Sequence, residues 1–393
     1  MKIILSANTT WFIYNFRRGL IKELINIGHD VVVLSPTDAY KSQIEQMGAR
    51  HVDIKINNSG TNPFQEAFSL LRLIRILHKE QPMLICSNTP KMNIYLSLAS
   101  SVLHIPMIAT VCGLGSGFLA GGILKFIILN LYKIAFRYPK KVFFENENDR
   151  ADFVNLRMVN YERTEYVPGS GVNITYFSND NLNHTENKIV FLLAARLLWD
   201  KGVGEFIEAA RIIKKKYSNV EFQLLGFLDV DNPTAVPKAQ IEKWVSEDIA
   251  VYLGATDDVR QYFCKADCIV LPSYREGNPK SLLEAASMSI PIITTDVVGC
   301  RDTIDDNITG YLCQVKNPQD LAAKMEKMYL LSPEQRRQMG MKGREKMIKF
   351  FDEKIVINKY LNVIKSCEQI STKTFIEKIF EYLFSFVFRF KGN

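Results

Sequence analysis

The chain has 393 residues, of which 47% are hydrophobic and 23% charged, with seven cysteines and a net charge of +7. These proportions exclude a disordered or fibrous chain, and the length gives two domains, each able to bury its own core. The cysteines are odd in number and scattered, which excludes a secreted disulfide scaffold and fits a reducing compartment; Cys264 and Cys268 have no partnering His or Cys cluster, so no zinc site is expected.

Short apolar runs alternate with amphipathic segments along the chain, the signature of parallel α/β architecture. Met1-Lys2 leads straight into Ile3-Ile4-Leu5 and then polar residues, which reads as a first strand and not as a signal peptide. Strands are predicted at Lys2–Ala7, Asp30–Ser35, His51–Ile56, Met83–Ser87, Pro106–Val111 and Lys141–Glu145, with helices at Asn15–Ile27, Gln65–Lys79 and Gly122–Arg137. A second series of strands runs Lys188–Ala195, Val220–Gly226, Ala250–Leu253, Cys268–Pro272, Pro291–Thr295 and Gly310–Val315. Its helices are predicted at Val203–Tyr217, Pro237–Glu247, Pro279–Ser287 and Pro318–Leu331. The division predicted is a first domain over 1–172, a linker over 173–187 and a second domain over 188–350. A helix over 351–371 returns toward the first domain, and an amphipathic tail covers 372–393. The pattern predicts two doubly wound sheets facing across a cleft, with ligands at the carboxyl ends of the strands.

Charge placement adds a second theme. No Asp or Glu occurs from Gln81 to Phe144, while Lys91, Lys125, Lys133, Arg137, Lys140 and Lys141 lie there. Such a run is either buried or faces something anionic. No RNA motif or recognition-helix pattern accompanies it, so nucleic acid is not the expected partner. Apolar residues interleaved with the bases over Phe118–Lys141 favour an anionic lipid surface. In the tail, Phe375, Ile379, Leu383, Phe386 and Phe390 form an apolar stripe opposite Glu377, Glu381, Ser385 and Arg389. At about 24 Å this helix is short for a span and reads as interfacial.

The chemistry concentrates in the second half. The strand ending at Pro272 delivers Glu276 and Gly277 into a loop, after which Asn278 is expected as helix N-cap and Pro279 as the first helical residue. The amides of Lys280, Ser281 and Leu282 at such a helix start form an anion site suited to a diphosphate. Glu276 in the loop and Glu284 in the helix are placed to accept hydrogen bonds from hydroxyls on either side of it. Arg196 and Lys201 follow the first strand of the second domain, where two cations can neutralise a diphosphate leaving group.

These residues resemble retaining nucleotide-sugar transferases of glycosyltransferase family 4, which have the GT-B fold. The hallmark is a pair of glutamates with seven residues between, as in Glu276 and Glu284, preceded by an Arg and a Lys placed like Arg196 and Lys201. Within the family the chain looks most similar to bacterial hexosaminyl transferases that extend undecaprenyl-diphosphate-linked sugars. Ile13-Tyr14-Asn15-Phe16-Arg17, Gly113-Leu114-Gly115-Ser116, Val167–Asn173 and Asp231-Asn232-Pro233 carry that likeness.

The resemblance implies an α/β GT-B architecture of two Rossmann-like doubly wound domains and a UDP-sugar donor held mainly by the second. Glu284 would hold the ribose hydroxyls, Glu276 those of the donated sugar, Arg196 and Lys201 the diphosphate, and the backbone at Gly254 the base. Asn15, Arg17, Lys91, Gly113, Gly115 and Ser116 are the implied contacts to a lipid-linked saccharide acceptor. No metal or other cofactor is implied, and the place of work would be the cytoplasmic face of the bacterial inner membrane, peripherally. The chain departs from the family in having Val111-Cys112-Gly113 where many members carry a His, and Asn8-Thr9-Thr10-Trp11 in place of a glycine-rich loop.

Three other motifs are weaker. Gly115–Ala120 matches a dinucleotide fingerprint but lacks an acid about 20 positions on. Asp229-Val230-Asp231 runs into a turn at Asn232-Pro233, and the five histidines have no ligand spacing. The competing readings are a nucleotide-sugar epimerase and a non-catalytic sugar-nucleotide-binding protein.

Overall fold

The computed structural model describes residues 1–56, 63–113, 122–178, 188–228 and 232–369. Among the described residues two compact units emerge: one from Met1–Phe144, Arg150–Glu165 and 356–369, the other from Glu145–Asp149 and Tyr166–Ile355.

The first unit is built on a seven-stranded sheet, in the order β3-β2-β1-β4-β5-β6-β7. Its strands are β1 (Lys2–Ser6), β2 (Asp30–Ser35), β3 (Arg50–Asp53), β4 (Leu84–Asn88), β5 (Met107–Val111), β6 (Lys141–Phe144) and β7 (Thr164–Tyr166). Strands β1 to β6 pair in parallel, with Ile3 opposite Val31 on one side and Leu84 on the other. Helices cover both faces of such a sheet, so its strands read as continuous apolar runs, and Ile3, Ile4 and Leu5 are fully buried. The helix Thr10–Asn26 starts five residues before the predicted Asn15, because the Thr9 hydroxyl accepts from the Phe12 amide at 3.1 Å and caps it. The acid-free stretch divides between the two explanations offered for it. Strands β4, β5 and β6 and much of helix Pro90–Leu103 are buried, whereas Arg137 and Tyr138 are exposed.

The second unit carries a six-stranded sheet, β10-β9-β8-β11-β12-β13. The strands are β8 (Ile189–Ala194), β9 (Val220–Leu225), β10 (Val251–Tyr252), β11 (Cys268–Leu271), β12 (Ile292–Thr295) and β13 (Gly310–Cys313). All its pairings are parallel. Phe191 stacks on Phe222 at 5.5 Å and Phe206 meets Phe222 edge-on at 5.7 Å within one core. The sheet changes winding direction between β8 and β11, so the tips of these neighbouring strands form its switch point.

Two predicted boundaries shift. The first unit gives way at Tyr166 and not at residue 172. The described part of the proposed linker, 173–178, is packed into the second unit: Ser287 Oγ donates to the Phe177 carbonyl at 2.8 Å, and Arg344 Nη2 donates to the Ile174 carbonyl at 3.2 Å. The C-terminal helix runs over 353–369, and from Val356 it belongs to the first unit. Tyr360 on it is buried, its hydroxyl bonded to Thr110 Oγ1 and its ring edge-on to Phe143 at 4.8 Å. The tail over 372–393 lies outside the described residues, and among the described residues no helix is long and apolar enough to cross a membrane.

Candidate active site

Strands β8 and β11 lie side by side with Phe191 opposite Cys268 and Leu192 opposite Ile269, so both chains leave the sheet at the same place. After β8, Arg196 is exposed and has no ion-pair partner among the described residues. Leu197 and Leu198 then turn inward, and one 3₁₀ turn at Trp199–Lys201 ends on Gly202. From this turn Lys201 Nζ reaches Glu276 Oε1 at 2.5 Å, with the two side chains only 16% and 13% exposed. Adjacency of the two strands thus brings together two residues 75 apart in sequence.

The loops are stitched along their length. The Asp200 carbonyl accepts from the Tyr274 amide at 2.9 Å and from Ser273 Oγ at 3.2 Å. Tyr274 donates its hydroxyl to Glu205 Oε1 at 2.7 Å; burial, and then this carboxylate, raise the phenol pKa and keep it a donor. Gly202 is left-handed at φ 75°, and a methyl group added there would stand 2.1 Å from the Pro272 carbonyl oxygen. The Glu276 amide donates to the Val298 carbonyl at 3.2 Å, and Gly299 lies so close that an added methyl would be 2.4 Å from the Glu276 carbonyl oxygen. Arg275 Nη2 pairs with Asp149 Oδ1, whose other oxygen accepts from Asn146 Nδ2 at 3.0 Å. The Cys300 thiol is pushed up to about 12, first by burial and then by the negative charge of Glu276.

The helix expected from Pro279 begins at Lys280, and its cap differs from the prediction. Pro279 is the cap residue, extended at φ −73° and ψ 107°, with no side-chain capping bond. Asn278 cannot cap because its side chain is packed under Gly169, where an added methyl would stand 2.7 Å from Asn278 Cβ. Asn278 Oδ1 is buried there without a hydrogen-bond partner among the described residues. The Leu282 amide is satisfied by the Pro279 carbonyl at 3.0 Å, whereas no described residue accepts from the Ser281 amide. Glu284 is buried on the same helix with Lys280 Nζ 3.3 Å away. Gly254, after β10, sits at φ 82° with open space where a side chain would project. An anchored carboxylate–ammonium pair, an exposed guanidinium and an open helix start at one switch point can receive an anion whose neighbours carry hydroxyls. A cavity of about 520 Å³ lies elsewhere in this unit, lined by residues such as Tyr176, Arg260 and Glu353, and includes none of these side chains.

In the first unit Arg17 is 2% exposed and directed inward, its Nε donating to Asn88 Oδ1 and its Nη1 to the Phe16 carbonyl, both at 2.9 Å. Lys91 Nζ is engaged by Glu66 at 2.6 Å, and Asn15 Nδ2 donates to the Trp11 carbonyl at 3.0 Å within its own helix. Gly113 follows β5 at φ 126° with open space beside it. Gly115 and Ser116, the rest of the Gly115–Ala120 motif and Asp229–Asp231 lie outside the described residues. Sequence reading missed Asp149, Asn146, Glu205 and Gly299, which hold the Glu276 loop. Of these only Gly299 could have been suspected, as punctuation after a short strand.

Comparison with known proteins matches this construction. The family described as "Glycosyl transferases group 1" matches residues 177–346, and "Glycosyl transferase 4-like" matches residues 2–146. The chain is 30% identical over 368 residues, 89% of its length and 95% of the relative's, to the N,N'-diacetylbacillosaminyl-diphospho-undecaprenol alpha-1,3-N-acetylgalactosaminyltransferase of Campylobacter jejuni. It is 26% identical, over 86% of this chain and 90% of the relative, to the capsular polysaccharide biosynthesis glycosyltransferase CapM of Staphylococcus aureus. Among solved structures, sucrose-phosphate synthase from Thermosynechococcus elongatus superposes with a TM-score of 0.77 at 18% identity, covering 94% of this chain and all of the other. Anabaena Alr3699/HepE in complex with UDP and glucose gives 0.75 at 18% identity, over 93% and 99% of the two chains. By sequence and by its two Rossmann-like parallel-sheet domains, the chain belongs to the GT-B glycosyltransferases of group 1, with a family-4-like first domain.

Proposed function

We propose that this glycosyltransferase moves an N-acetylhexosamine from a UDP-sugar, with retention of anomeric configuration, to a lipid-diphosphate-linked saccharide in the assembly of a cell-surface glycan. Its place would be the cytoplasmic face of the bacterial inner membrane, where it is peripheral. The observation that carries the reading is the Lys201–Glu276 contact at 2.5 Å at the switch point of the second sheet, beside the open start of helix Lys280–Ser287. Support for the lipid-linked acceptor comes from the near full-length match to a transferase named for an undecaprenol-diphosphate substrate.

In this reading the diphosphate lies at the helix start, with Arg196 and Lys201 against its charge and the Ser281 amide donating to it. Glu276 binds hydroxyls of the donated sugar, Glu284 binds those of the ribose, and Gly254 leaves room for the base. The acceptor hydroxyl attacks from the face the diphosphate leaves, and the departing diphosphate takes its proton. The protein supplies electrostatic stabilisation and alignment, and no metal or other cofactor enters the scheme.

A screen of UDP-sugars with a short synthetic lipid-diphosphate saccharide, read by mass spectrometry, tests this. A UDP-N-acetylhexosamine is expected to add one N-acetylhexosamine to the acceptor, with the donor's anomeric configuration by NMR. Interconversion of the UDP-sugar without transfer would favour the epimerase. No turnover with any UDP-sugar would contradict the choice of donor.

A further inference from the structure

The acid-free run from Gln81 to Phe144 ends abruptly, with Glu145, Glu147 and Asp149 following at alternate positions. This short segment belongs to the second unit. Asn146 caps the helix Glu147–Asn155, its Oδ1 accepting from the Asp149 amide at 2.7 Å, and its Nδ2 donates to Asp149 Oδ2 at 3.0 Å. Asn146 is 1% exposed and Asp149 fully buried. The cap therefore fixes one carboxylate oxygen and leaves the other to a cation, because a buried charge needs a partner.

That cation is Arg275. Its Nη2 pairs with Asp149 Oδ1, and its guanidinium has no other partner among the described residues. Arg275 directly precedes Glu276, whose carboxylate takes Lys201 Nζ at 2.5 Å. Two cations thus stand near one functional carboxylate. The planar fork of a guanidinium matches a carboxylate better than an ammonium does. Left free beside Glu276, Arg275 would take that carboxylate from Lys201. The loop itself has other ties, from Tyr274 and Ser273 to the Asp200 carbonyl and from the Glu276 amide to Val298.

We propose that Asp149 is a positioning residue for transfer: it sequesters Arg275, so that Glu276 pairs with Lys201 and keeps its aim at the donated sugar. The inference rests on the reading of Glu276 as the carboxylate that holds that sugar, and it names what selects its partner. Three variants of the full chain test it. Asp149→Asn removes the charge while its single oxygen can stay with Asn146, and transfer is expected to fall at least about tenfold. UDP alone has no sugar for Glu276 to hold, so calorimetry should show it binding this variant no more weakly than the parent. Arg275→Met strands a buried carboxylate and should melt at a lower temperature, yet below that temperature it should transfer nearly as the parent does. Asp149→Asn combined with Arg275→Met should recover most of the transfer that Asp149→Asn loses, because the competing cation is gone. A pair that served only the fold would show no such recovery.

A crystal structure of ligand-free Asp149→Asn reads the same point without turnover: Arg275 is expected on the Glu276 carboxylate, with Lys201 displaced. Arg275 still directed at residue 149, or a double variant no more active than Asp149→Asn, would overturn the proposal. A large loss of transfer in Arg275→Met would overturn it too, by making Arg275 itself a substrate contact. Failure of the parent to transfer from any UDP-sugar would strike the donor reading, while the crystal structure still decides which cation Glu276 takes.

Discussion

Lys201→Ala is expected to lower turnover about 100–1,000-fold, the usual loss when one preorganised electrostatic contact to a developing charge is removed. Glu276→Ala should lose a comparable factor through the donated sugar. The two side chains meet at 2.5 Å and are largely shielded from water, so neither acts alone. The double variant is therefore expected to lose little more than the worse single one, as residues working as a unit do. Stability separates the cases. Lys201→Ala leaves the Glu276 carboxylate without its partner at a cost on the order of 1–3 kcal/mol. Arg196→Ala removes an exposed side chain with no ion pair to break among the described residues and should cut turnover without moving the melting temperature. Steady-state transfer rates beside thermal melts read both outcomes; near-normal turnover in all three single variants would contradict the site assignment.

Gly202→Ala is expected to do severe structural harm at the site. Its backbone is left-handed, which costs a residue with a side chain about 1–2 kcal/mol. The new methyl would also stand 2.1 Å from a carbonyl oxygen of Pro272, on the segment leaving β11. Backbone cannot rotate away as a flexible side chain can, so overpacking adds about 1–3 kcal/mol. The movement that relieves it separates the β8 and β11 exits, and with them Lys201 from Glu276. We expect a lowered melting temperature together with loss of transfer. A Gly202→Ala protein that melts and turns over like the parent would show that the two loops are not held as described.

Twelve of the strands, all but β7, lie within the predicted runs or within a residue or two of them. Most were legible because a parallel strand buried on both faces has no polar alternation to confuse it, although the edge strands β3 and β10 are partly exposed. Helix Pro90–Leu103 escaped reading for the complementary reason: it is buried on most sides and carries little amphipathic period. Helix Pro333–Lys346 was readable from Ser332 and Gln335, which form a capping box in the structure, but its polar surface gave no core-facing stripe. At the site, Lys201 and Glu276 were legible because each follows a strand tip, and sheet order then brings the tips together. Asn278 was misread as a cap because its side chain answers to Gly169, more than 100 positions away in sequence. The burial of Arg17 was not legible for the same reason, since only the folded sheet brings Asn88 beside it. Asp149, which anchors Arg275, lies in a segment with no motif at all.

The most direct measurement is the structure of the protein crystallised with UDP. The diphosphate is predicted at the start of helix Lys280–Ser287, within reach of Lys201, Arg196 and the Ser281 amide, with the ribose hydroxyls on Glu284. A nucleotide bound elsewhere in the second unit, with Lys201 still joined to Glu276 and the helix start empty, would contradict the account.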